Sequence, residues 1–277
     1  MKRILTVQDL SCLGKCSITV ALPVISAMGV EAAVLPTAVL STHTAFPSPV
    51  VRELGDLLTP FSEHWANIGA GFDGICTGYL SSPEQARQVM AVLETLRSPE
   101  TFVVTDPVMG DGGKLYSRIT PDFLAQMRLL CAGADLILPN LTEACFLTDT
   151  PYREDCSEEF LRELLRKLTD TGCAVAAITG ISLRENTTGV AGYEKATGEY
   201  FSYSHEKLPQ SYHGTGDIFC AVTAGAMARG MSWQEALKLA ADFTCQCIRL
   251  TSLEGGDRRY GVCFEKALPM LVNELNK

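Results

Sequence analysis

The chain has 277 residues, 47% of them hydrophobic and 20% charged, with a formal net charge of −9. That balance belongs to a well-packed soluble globule rather than a disordered chain. The acidic total disfavours nucleic acid and anionic membranes as partners.

The start, Met1-Lys2-Arg3-Ile4-Leu5, opens like a signal peptide, but Asp9 and Lys15 interrupt it before an apolar core forms. A first strand is expected over 4–8, with Gln8-Asp9 leaving its end. The uncharged stretches 16–30 and 32–51 are broken by Pro23, Pro36, Pro47 and Pro49, so neither reads as a membrane span. They are read instead as a helix at 18–28 and a strand at 32–37. Ser41-Thr42-His43-Thr44 follows that strand and suits an acceptor pocket, although a lone His is more often a packing residue. A helix is expected at 49–58 and a strand at 74–79. Tyr79, after Thr77-Gly78, suits stacking on a planar ring or filling a core. A helix at 83–96 and a strand at 102–105 come next.

After that strand the chain reads Asp106-Pro107-Val108-Met109-Gly110-Asp111-Gly112-Gly113-Lys114-Leu115-Tyr116. Asp106 stands at a strand end. The glycines allow residues 110–116 to act as a lid over a nucleotide, with Lys114 as its cation; the same stretch also reads as an ordinary glycine-rich loop. A helix at 121–131 and a strand at 136–138 lead to Asn140-Leu141-Thr142-Glu143. One helical turn puts Asn140 and Glu143 on one face. Oxygen ligands at that spacing can organise Mg²⁺, and the pair equally fits a capping box; the roles are compatible. A helix at 157–171 follows, with Ser157 as cap and Gly172 as stop. A strand at 175–179 ends in Thr179-Gly180, which suits a phosphate contact or a simple turn. Residues 187–203 read as an antiparallel hairpin around Lys195-Ala196-Thr197-Gly198.

The last third is expected to be helical, at 217–229, 232–251 and 264–276. It opens with Tyr212-His213-Gly214-Thr215-Gly216-Asp217 before a long apolar run. Gly214, Thr215 and Gly216 give a tight turn whose N–H groups, at a helix start, form an anion site. A carboxylate at that mouth is poorly suited to holding phosphate. Asp217 suits taking a proton from a hydroxyl that attacks phosphorus, and an aspartate of ordinary pKa, ~4, is a weak base for that task.

Short strands, apolar on both faces and alternating with helices, are the pattern of a buried, largely parallel sheet in an α/β fold. One domain over 1–277 is expected, with ligands beyond the C-terminal strand ends. The 11 cysteines are an odd number, which suits free thiols in a reducing cytosol. Cys12-x3-Cys16 and Cys245-x-Cys247 lack zinc-knuckle spacing.

In order, Gln8, Thr42-His43-Thr44, Thr77-Gly78-Tyr79, Asp106-Pro107-Val108-Met109-Gly110, Asn140 with Glu143, and Gly214-Thr215-Gly216-Asp217 resemble the pyridoxal kinase branch of the ribokinase-like superfamily. The resemblance spans nearly the whole chain. It implies a three-layer α-β-α kinase that moves the γ-phosphoryl group of ATP to the 5′-hydroxyl of pyridoxal, pyridoxine or pyridoxamine. It also implies Asp217 as base over an anion hole of Gly214, Thr215 and Gly216. Asp106, Asn140 and Glu143 would organise Mg²⁺ and the phosphates, Asp106 and Glu143 as the metal residues. Thr179 would lie on the nucleotide side, residues 110–116 with Lys114 would be the lid, and Thr44 and Tyr79 would contact the vitamin ring. A cytoplasmic homodimer and a monovalent cation such as K⁺ are further implications. Many of these kinases carry Gln-Ser-His where this chain has Gln8-Asp9-Leu10. Asp9 is therefore expected to face a cationic group of the substrate and to shift vitamer preference, unless Ser11 fills the gap. Hydroxymethylpyrimidine kinase of thiamin synthesis is the alternative enzyme, and a non-catalytic vitamer-binding protein the alternative class.

Overall fold

The computed structural model describes residues 1–154 and 156–274. In chain order the elements are β1 (Arg3–Ser11), α1 (Ile18–Ala27), β2 (Glu31–Leu40), β3 (Val51–Glu53), α2 (Gly55–Asn67), β4 (Gly74–Thr77), α3 (Pro83–Leu96), β5 (Phe102–Thr105), β6 (Gly110–Asp111), β7 (Lys114–Leu115), α4 (Pro121–Ala132), β8 (Leu136–Ile137), α5 (Leu141–Leu147), α6 (Glu158–Asp170), β9 (Val175–Ile181), β10 (Thr187–Glu194), β11 (Tyr200–Glu206), α7 (Thr215–Ala228), α8 (Trp233–Glu254) and α9 (Leu268–Glu274). Among the described residues, nine strands form one sheet in the order β11-β10-β9-β8-β5-β4-β1-β2-β3, and β6 and β7 make a separate ribbon. The strands from β2 to β9 run parallel, while β10, β11 and β3 are antiparallel additions at the two edges.

The two-residue period of the strands builds two cores. Ile4, Cys76, Val104, Leu136 and Val175 point to one face, under α1, α7, α8 and α9. Leu5, Ile75, Val103, Ile137 and Ala176 point to the other, under α2, α3, α4, α5 and α6. The result is the three-layer α-β-α arrangement of a ribokinase-like fold, with its parallel centre hidden from water. Among the described residues no helix is long and apolar enough to cross a membrane.

Helix starts follow their caps. Ser82, Thr120, Ser157 and Ser232 each accept a backbone N–H of the first turn, with Pro83 and Pro121 as first residues of α3 and α4. Two helices differ from expectation. Residues 49–58 do not form one helix: Val51–Glu53 pair with β2, and α2 starts only at Gly55. Pro49 lies just before this extended edge, where its missing N–H is tolerated. Residues 264–276 split into a 3₁₀ turn at Phe264–Lys266 and α9, because Pro269 cannot donate a helical hydrogen bond. The end of that expected helix lies outside the described residues. The β1–β2 ladder also slips: Thr37 and Ala38 stand opposite Asp9 alone. Such a bulge re-aims a side chain at a strand end.

Candidate active site

The C-terminal ends of β1, β2, β4, β5 and β8, together with Thr179 on β9, open into one cavity of about 920 Å³. The first turn of α7 closes it from above. Gly214 is the N-cap of α7 at φ 79°, in the left-handed region. A side chain there would collide with the Lys15 carbonyl, and one at Gly261 would stand 2.8 Å from the same carbonyl. Glycine is required at Gly214 for both reasons, and its absent side chain lets the chain seat the free amides of α7 over the cavity.

Asp217 lies in that first turn and lines the cavity. Burial pushes its pKa up to about 6; the nearby Ser17 backbone opposes the rise and the charge of Asp9 adds to it. The ordinary value expected from sequence is thus corrected upward, which makes Asp217 a better base near neutral pH. Asp106 is 8% exposed, with one carboxylate oxygen 3.5 Å from where a Gly216 side chain would begin. Burial, then the charges of Glu143 and Asp217, hold its carboxyl well above the usual range. No hydrogen bond to that carboxylate is found among the described residues.

One end of the cavity carries Asp9, Thr44 and Tyr79. Asp9 is buried; its two oxygens accept the hydroxyls of Ser17 at 2.5 Å and Ser11 at 2.9 Å. Burial raises its pKa against those bonds. His43 accepts the Ala45 N–H on Nδ1, which leaves its Nε2–H to donate to the Arg259 carbonyl at 2.5 Å. Arg259 in turn covers Phe46 at 5.1 Å, so the C-terminal segment is strapped over this end.

The other end carries Asn140 and Thr179, joined by an isolated parallel bridge. Asn140 and Glu143 form a full capping box on α5. Glu143 also accepts the Met109 N–H at 2.9 Å, and the Asn140 amide donates to the Gly110 carbonyl at 2.8 Å. The start of α5 therefore grips the root of the β6–β7 ribbon. Burial pushes Glu143 up to about 7 despite its amide donors. Among the described residues no group of three His, Cys, Asp or Glu side chains forms a metal cage.

Residues 16–262 match the family profile described as phosphomethylpyrimidine kinase. A structure from Bacteroides thetaiotaomicron VPI-5482, described as a phosphomethylpyrimidine kinase, superposes with a TM-score of 0.94 at 40% identity, covering 98% of this chain and 93% of that one. Its orthorhombic form, with pyridoxal, gives 0.92 at 39% identity over 98% and 95%. The pyridoxal kinase from Lactobacillus plantarum gives 0.91 at 34% identity over 99% and 98%. The chain belongs to this kinase family, in its pyridoxal kinase branch. The pyridoxine/pyridoxal/pyridoxamine kinase of Bordetella avium, 26% identical over 90% of this chain and 86% of its own, is a more distant relative.

In this kinase Asp9, Thr44, Tyr79, Asp106, Asn140, Glu143, Thr179 and the 214–217 turn all line the one cavity. Lys114 does not: it is exposed on the ribbon, and Arg118 is the ribbon-side cation that lines the cavity. Sequence reasoning also passed over Ser17 and His213. Both stood beside quoted motifs, Cys12-x3-Cys16 and Gly214-Thr215-Gly216-Asp217, and adjacency was the available signal. Removing the Glu143 side chain should strand the buried Met109 amide and the half-buried Asn140 amide. Glu143→Ala is expected to lose about 2–4 kcal/mol of stability, read by denaturant unfolding, and to weaken ATP binding through a loosened ribbon. Wild-type stability would show that water replaces the carboxylate.

Proposed function

We propose that this kinase transfers the γ-phosphoryl group of ATP to the 5′-hydroxyl of a vitamin B6 vitamer, with Asp217 as the base. The observation that carries the reading is the place of Asp217: in the first turn of α7, at the middle of a cavity with a nucleotide-suited end and an acceptor-suited end. A relative 39% identical to this chain holds pyridoxal, which points to the acceptor.

The acceptor ring lies between Tyr79 and Thr44, with its hydroxyl turned towards Asp217. Transfer is in line. The transition state is loose, so the hydroxyl becomes acidic late, and a carboxylate titrating near 6 can take its proton then. The amides of Gly214, Thr215 and Gly216 face the moving phosphoryl and stabilise its charge without reorganising. Thr179 and Asn140 bound the nucleotide end, and Arg118 approaches from the ribbon. Mg²⁺ fits Asp106, whose buried carboxylate accepts no hydrogen bond among the described residues, better than Glu143, whose oxygens are already held by amides; Asp106 would hold the ion, which would neutralise phosphate charge.

The test is ADP release with each vitamer and with hydroxymethylpyrimidine, with mass analysis of products. A B6 5′-phosphate formed much faster supports the reading. The reverse selects the pyrimidine acceptor named by the family profile, which is the second reading. Asp9 refines the first. A buried carboxylate at the acceptor end favours a cationic substituent, and pyridoxamine carries one. In Asp9→Ser, kcat/KM for pyridoxamine relative to pyridoxal is expected to fall about tenfold, the value of one charge-assisted hydrogen bond. An unchanged vitamer order removes that role. A homodimer and a cytosolic location complete the proposal, and a solution mass twice that of one chain checks the dimer.

A further inference from the structure

The segment after α8 crosses the acceptor end of the cavity with few ties. Gly255 and Gly256 stand at φ 69° and 108° with open space where side chains would be, so the chain can pivot there. Gly261, further on, is pinned: a side chain there would meet the Lys15 carbonyl and, at 3.3 Å, the His213 carbonyl. Between these ends Arg258–Tyr260 make one 3₁₀ turn, capped by Asp257, whose carboxylate also pairs with Arg259. Residues 256–260 are exposed, yet Arg258 and Arg259 line the cavity.

Among the described residues one hydrogen bond ties 256–260 to the rest of the fold, from the His43 Nε2–H to the Arg259 carbonyl at 2.5 Å. The other holds are aromatic. Phe46 carries the Arg259 guanidinium 5.1 Å from its ring centre and meets the Tyr260 ring edge-on at 5.1 Å. It also packs against the His43 ring at 5.0 Å, and that ring lies 4.9 Å from His213, beside the α7 turn. Phe46 itself is half-buried and does not line the cavity. Contacts of these two kinds each shift an equilibrium by roughly two- to tenfold. The turn is therefore held down by little, and a large part of the hold passes through one ring.

We propose that residues 256–260 are a flap that opens to let the acceptor in and out, and that Phe46 is the positioning residue that keeps it shut. A flap that is mostly shut in both the free and the loaded protein sets the rates of entry and exit and leaves affinity nearly unchanged. This rests on the acceptor lying at the Thr44 end, and the two arms of the test separate the ideas.

Phe46→Leu removes both ring contacts and keeps an apolar side chain; Phe46→Tyr restores the ring. The first arm reads the flap alone. Trypsin cuts after arginine, and cutting follows the open population when opening and closing are fast. Cleavage after Arg258 and Arg259, located by mass spectrometry, is expected to be roughly five- to tenfold faster in Phe46→Leu than in wild type, and close to wild type in Phe46→Tyr. The second arm reads passage. With ADP bound, loss of isotope-labelled pyridoxal into an unlabelled chase is expected to speed up roughly five- to tenfold in Phe46→Leu, with Kd within about twofold of wild type. Unchanged cleavage overturns the proposal, and so does faster cleavage with unchanged release. A Kd that weakens as much as release speeds up also overturns it, because the segment is then a binding wall and not a gate. If the wild-type protein phosphorylates hydroxymethylpyrimidine instead, that labelled acceptor is chased and the same outcomes decide. If it phosphorylates neither, the acceptor assignment fails, and the trypsin arm still decides whether Phe46 keeps the flap shut.

Discussion

Asp217→Asn is expected to lower turnover by roughly 10²–10⁴-fold while ATP still binds, because only proton transfer is removed. The amide is nearly the same size, and it leaves the Gly214 turn and the α7 amides in place. Nucleotide affinity, measured by calorimetry, should change little. In the wild-type protein the rate should fall on the acid side around pH 6, where Asp217 gains its proton. The substitution should abolish that limb. The effect on stability has the opposite sign. A carboxyl raised from the usual range to about 6 binds its proton more tightly in the folded state, so its favourable contribution is full below ~4 and lost as pH rises through 6. The permanently neutral Asp217→Asn variant should therefore melt higher than wild type at pH 8 and about equally at pH 4. Near-normal turnover would remove Asp217 as the base.

Gly214→Ala is the second large effect, and it acts through the backbone. Alanine at φ 79° costs about 1–2 kcal/mol by itself. The added methyl also meets the Lys15 carbonyl, a backbone atom that cannot rotate away. Overpacking of this kind adds about 1–3 kcal/mol. The sum, about 2–5 kcal/mol, is a large share of a typical domain's stability. Denaturant unfolding should show it directly. Where the variant folds, the first turn of α7 must move, so turnover should fall with it. A variant of wild-type stability and rate would mean that the turn has slack the geometry denies.

The fold was legible in the sequence where physics is local. The short strands apolar on both faces, the Ser157 cap and the hairpin at Thr197-Gly198 each depend on near neighbours, and each produced its element. Residues 49–58 failed because β3 exists only through its pairing with β2, a contact the local pattern does not contain. The site divides in the same way. Asp106, Asn140, Glu143 and Asp217 follow strand ends or open helices, and such positions can be read from alternation alone. Glu143 was left between a metal role and a cap, and the full capping box shows the cap. Ser17 was not legible. Its φ 50° accompanies a hydroxyl bond to Asp9, a partner that the local pattern does not reveal.

The Lys15 carbonyl, packed against both Gly214 and Gly261, bears on how the molecule is made. A ribosome delivers β1 and the loop after it long before α7 and the Gly261 turn. Until those arrive, the loop lacks its glycine seats. Such distant closures form late, because the chain between them must be ordered first. The anion site at the start of α7 is therefore seated only once the loop after β1 and this much later segment have met.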